Sequence, residues 1–105
     1  MAQIKRETLG GEPYEYLPLE QYVVRVVGVC GGRPTFKYTR IEVAGALNRL
    51  AAGESIENIV AGYGGRVPRE AVLEAIDIAA RHFLDNLPEL TPYHIAPYTP
   101  REPKR

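Results

Sequence analysis

Tyr22–Tyr63, YVVRVVGVCGGRPTFKYTRIEVAGALNRLAAGESIENIVAGY, is the stretch whose reading decides the fold. Its first half is dense in valine, which suits a pleated surface. Alternation over Tyr22–Val29 sets Val23, Arg25 and Val27 on one face and Val24, Val26 and Gly28 on the other. Cys30-Gly31-Gly32-Arg33-Pro34 supplies the backbone freedom of a turn, and Thr35–Ile41 reads as a returning strand. The simplest reading is a β-hairpin. A two-stranded hairpin is marginal alone, so it packs on helices or pairs with another chain. That open edge predicts a homodimer.

Near Glu42 the period changes. Val43, Ala46, Leu47, Leu50 and Ala51 recur at the three-and-four spacing of a helix face. Thr39 and Glu42 have the spacing of a capping box, and Gly53 is the natural stop. Ser55 caps a second helix whose stripe is Ile56, Ile59, Val60 and Tyr63.

Beyond this stretch, Pro68 and Glu70 suit the first turn of a third helix. Its apolar face is Val72, Ala75, Ile76, Ala79, Phe83 and Leu87, with Arg69, Glu70, Glu74, Asp77 and Arg81 facing outward. Residues 1–21 contain Pro13 and Pro18 and read as an arm with at most one short strand. Residues 88–105 carry five prolines and read as an extended tail with Tyr93, His94 and Tyr98 as anchors for a partner. The divisions are therefore an arm at 1–21, a hairpin-plus-three-helix domain at 22–87, and a tail at 88–105.

A chain of 105 residues with 45% apolar and 25% charged residues is one ordinary globular domain. No apolar run approaches the roughly 20 residues of a membrane span. The N-terminus lacks a secretory pattern, and a single cysteine fits a reduced cytoplasmic setting. The net charge of zero is unevenly spread: residues 22–41 carry Arg25, Arg33, Lys37 and Arg40 and no acid. Phosphate, if met, would be met there.

Ser55 is the only serine, and capping occupies its oxygen. Cys30 has no histidine-based partner pattern. His82 and Asp85 sit one helical turn apart without further ligands at motif spacing, so no metal or other cofactor is expected. No nucleophile, base and orienting group can be assembled, and the chain reads as a non-enzyme. The glycines of GYGGRV lack the lysine and hydroxyl of a phosphate-binding loop. Two helices followed by a third also outline a helix-turn-helix, although three acids face outward from the reading helix.

CGGRPTFKYTRIEV, LAAGESIENIVAGY and VPREAVLEAIDIAARHF, in that order, resemble the domain of unknown function 433 family. The resemblance implies a mainly α fold, a homeodomain-like or winged-helix-like domain, taken here as a three-helix homeodomain-like helix-turn-helix bundle behind a small N-terminal β-hairpin. It also implies kinship with VapB-type antitoxins, which bind their own promoter DNA as dimers and cover a PIN-type ribonuclease toxin. On that reading Arg33, Lys37, Arg40, Arg66 and Arg69 contact DNA. The alternative is a dimeric protein-interaction module without DNA binding. One departure stands out: Tyr38 occupies the place where the family usually has glycine before Thr-Arg-Ile.

Overall fold

The computed structural model describes residues 3–90. It contains strands β1 (Lys5–Leu9), β2 (Glu12–Pro18), β3 (Val23–Val26) and β4 (Thr35–Phe36), then helices α1 (Val43–Ala51), α2 (Ile56–Gly62) and α3 (Arg69–Asp85). A short 3-10 turn, Cys30–Gly32, lies between β3 and β4. The strands form one antiparallel meander in the order β1-β2-β3-β4.

This corrects the mainly α, homeodomain-like expectation. The three helices and the start of the β3–β4 hairpin are where the sequence puts them, but the returning strand expected over Thr35–Ile41 stops at Phe36, where a turn begins, and a four-stranded sheet forms a full second layer. The residues expected to be an arm supply two of its strands. Gly10 and Gly11, with φ of +60° and +81°, make a two-residue turn of the kind that requires both positions left-handed. Leu9 then pairs with Glu12 and Lys5 with Tyr16.

The prolines do not block the ladder, because register places each where no N–H is needed. Thr8↔Pro13 follows the turn-closing pair, so it is a non-hydrogen-bonded pair and the Pro13 nitrogen points away from β1. Across β2 and β3, Val27 N–H bonds to Glu15 C=O and Leu19 N–H to Val23 C=O. That alternation makes Pro18↔Val24 a non-hydrogen-bonded pair as well. The β3 edge expected to await a second chain is therefore covered by β2. The outer edge is β1, KRETL, exposed throughout and guarded by charge.

The helices follow their local signals closely. Ser55 Oγ accepts from Asn58 N–H at 3.0 Å. Gly53 lies at φ +100°, and the bonds Gly53 N–H to Leu50 C=O and Glu54 N–H to Arg49 C=O close α1 in a Schellman motif. The expected capping box is absent. Glu42 itself is the N-cap of α1, and Thr39 Oγ1 instead donates to Phe36 C=O and accepts from Ile41 N–H.

Two clusters hold the body together. Val23, Phe36, Val43, Ala46, Ile59 and Val72 pack between the sheet and the helices. Tyr14, Tyr16, Val24 and Val26 form a smaller cluster on the other face of the sheet. Glu74, expected on a solvated helix face, ties the layers. Its carboxylate accepts from the backbone N–H groups of Gln21, Tyr22 and Val23 at 3.2, 2.7 and 2.8 Å.

The apolar stripe of α3 outruns that body. Ala71, Val72 and Ala75 are buried, whereas every residue from Ala80 to Leu90 is exposed. Phe83 is 66% and Leu87 52% exposed, so the apolar face read from the sequence is not buried at its end. The last tie to the sheet layer is Arg81, which pairs with Glu20 at 2.8 Å.

Candidate functional site

The turn after β4 concentrates the unusual chemistry. Thr39 N–H bonds to Phe36 C=O at 3.0 Å, closing a β-turn with Tyr38 at its third position. Tyr38 has φ +67°, the left-handed conformation such a position demands of glycine or asparagine in type II turns. This accounts for the glycine expected there, and makes tyrosine a strained choice.

The strain is offset by the contacts of the turn, of which those of the ring and the hydroxyl are ones glycine could not make. Tyr38 N–H donates to Tyr14 Oη at 2.8 Å, the two rings lie 5.4 Å apart, and Tyr38 Oη donates to Glu7 Oε1 at 2.7 Å. Tyr16 Oη donates to the other Glu7 oxygen. The Lys37 ammonium lies 4.8 Å from the Tyr16 ring centroid, 5.0 Å from that of Tyr38 and 3.8 Å from Glu7. The Tyr16 hydroxyl first, and Tyr38 second, hold the Glu7 carboxyl below the usual carboxylate range. The same phenols hold Lys37 above the usual lysine range, against a smaller opposing effect of burial. Burial pushes the Tyr14 hydroxyl up.

Two open grooves flank this turn. One, of about 460 Å³, is lined by Gln21, Tyr22, Lys37, Tyr38, Thr39 and Arg66, among others. The other, of about 480 Å³, includes Tyr14, Val29, Tyr38, Thr39, Arg40 and Arg66, with Glu12 as its carboxylate. Tyr38, Thr39 and Arg66 belong to both.

The five expected DNA-contacting residues differ in their surroundings and their partners. Lys37, Arg40 and Arg66 meet around the Tyr38 turn. Arg33 is held by both oxygens of Glu42, at 2.8 and 3.2 Å, and so holds that carboxyl low. Arg69 pairs with Glu57 at 3.3 Å between α2 and α3. Lys37 is taken up by Glu7 and the tyrosines. Among the described residues, Arg40 and Arg66 have no carboxylate partner. Tyr93, His94 and Tyr98 lie outside the described residues.

Sequence reasoning passed over Glu7, Tyr14 and Tyr16 as site residues. The signal for the tyrosines was present: spacing of two on a strand puts both on one face. Nothing local marks Glu7, whose partners are 9 and 31 residues away. Among the described residues no group of three or more metal-ligating side chains occurs, and no helix is long and apolar enough to cross a membrane.

Fold and site together define an α+β domain, an antiparallel meander with helices packed on one face and a tyrosine-lined turn on the other. The family described as "Protein of unknown function (DUF433)" matches residues 23–79, over half of the chain, and the chain belongs to it. Neither a curated protein nor a solved structure matches the chain.

Proposed function

We propose that the chain is a non-enzymatic, antitoxin-like interaction protein that presents the distal end of α3 to an apolar face on a partner protein. The observation that carries this is the set Phe83 and Leu84 in the last turn of α3 and Leu87 and Leu90 just past it, between 52% and 88% exposed, following a first half that buries Ala71, Val72 and Ala75. Large exposed apolar groups this close together along the chain are the kind of surface that marks a protein contact, and a few such anchors dominate interface energetics. The family resemblance suggests a PIN-type ribonuclease as the partner. Binding to the chain's own promoter is the second half of that antitoxin reading, and Arg40 and Arg66 are the cations left for it.

The test is co-purification of the full chain with the product of a neighbouring ribonuclease gene, together with an assay of ribonuclease inhibition. A Phe83→Ala/Leu87→Ala variant should keep its circular dichroism and lose at least about tenfold in inhibition, as loss of anchor residues does. Undiminished inhibition by the folded double variant would end this reading.

A further inference from the structure

We infer that the Tyr38 turn is a binding site for single-stranded nucleic acid, taking a base against the Tyr38 ring and the flanking phosphates on Arg40 and Arg66. This goes beyond the partner-protein reading and uses no residue of the α3 end.

Four observations converge. Tyr38 is 49% exposed although its side chain is held by its hydroxyl bond to Glu7 and its ring contact with Tyr14, on a backbone whose N–H is itself bonded to Tyr14. An exposed aromatic ring that is already ordered gives a stacking platform at little further entropic cost. It adopts a left-handed backbone that a tyrosine occupies only when its surroundings compensate, and such outliers cluster at functional sites. Grooves of about 460 and 480 Å³ meet at that ring, each large enough for a nucleotide. Arg66 lines both and Arg40 lines the second, and neither guanidinium has a carboxylate partner among the described residues.

Two adjoining grooves around one ring match a dinucleotide step of a single strand better than a lone nucleotide, which would occupy one of them. A duplex offers no unstacked base to the ring. Two phosphate contacts and one or two stacked bases give weak, salt-sensitive binding with little sequence preference. Arg66 makes only a long bond, 3.4 Å to Tyr63 C=O, so it can be removed without disturbing the fold.

Fluorescence anisotropy of the full chain with labelled dT10 and rU10 at low salt tests this, with a ten-base-pair duplex and thymidine monophosphate as comparison arms. Both single strands should bind more tightly than the duplex, with a log–log salt slope of about −1.4 for two phosphates. The monophosphate should compete only weakly. Tyr38→Gly, which eases the backbone while deleting the ring, should weaken binding about tenfold, and Arg66→Ala should weaken it at least as much. Duplex binding as tight as the single strands, competition by the monophosphate equal to that of dT10, or no binding to any oligonucleotide would overturn the proposal. So would unchanged affinity in Tyr38→Gly; if circular dichroism shows that variant unfolded, unchanged affinity in Arg66→Ala decides against the site.

Discussion

The two halves of α3 carry one apolar pattern and have opposite surroundings. From Arg69 to Ala79 the stripe lies in the core, and Glu74 on its flank clamps three backbone N–H groups of the β2–β3 connection. From Ala80 onward the pattern continues through Phe83 to Leu87, just past the helix, and both are exposed among the described residues. Periodicity reports a helix face; it does not report how far the rest of the body extends along that face. The boundary is set by the sheet, whose β2–β3 turn reaches α3 only as far as the Arg81–Glu20 pair.

Substitutions on the two halves should separate sharply. Val72→Ala, at a fully buried position of the first half, removes two methyl groups from a packed site and should cost about 2–3 kcal/mol in urea unfolding. Glu74→Ala leaves three N–H groups without their carboxylate and should cost about 2 kcal/mol. A cost near zero there would mean that water replaces the clamp and the halves differ by packing alone. The Tyr38 turn belongs with the held region, and its acid response gives a smaller test. Glu7 has a depressed carboxyl, so its contribution is fully present above about pH 4.5 and is lost as pH falls through the depressed value. Glu7→Gln should therefore lower stability at neutral pH and flatten the acid limb of a pH–stability curve; an unchanged limb would place the acid sensitivity elsewhere. The smallest effect belongs to the distal half. Phe83→Ala should change stability by less than about 0.5 kcal/mol, and a loss near that of Val72→Ala would show that the distal stripe is covered.

The helical half of this fold was legible because its signals are local. Ser55 caps, Gly53 stops, and the three-and-four spacing of Val43, Ala46 and Leu47 needs no knowledge of distant residues. The β1–β2 hairpin was not. KRETL is exposed on both faces, so it lacks the alternation that marks a half-buried strand, and Pro13 and Pro18 argue against a ladder until the register is known. The candidate site was legible in part. Tyr38 stood out as a departure from the family's glycine, and Lys37, Arg40 and Arg66 were named, but grouped with Arg33 and Arg69, whose carboxylate partners depend on tertiary proximity. Glu42 lies 9 residues from Arg33 and Glu57 12 from Arg69. No spacing rule selects such pairs.

The segment shared with the family begins at Val23, the first residue of β3, so β3's outer neighbour comes from the residues ahead of it. Residues 5–18 thus act as a sheath over a valine-rich strand. A chain starting at Leu19 would keep α1, α2 and α3 yet bare the N–H and C=O groups of Arg25 and Val27, which face β2, an invitation to strand exchange between copies. On size-exclusion chromatography such a truncation should run as concentration-dependent aggregates. The hairpin's contribution is then solubility, supplied by residues that touch few of the helices.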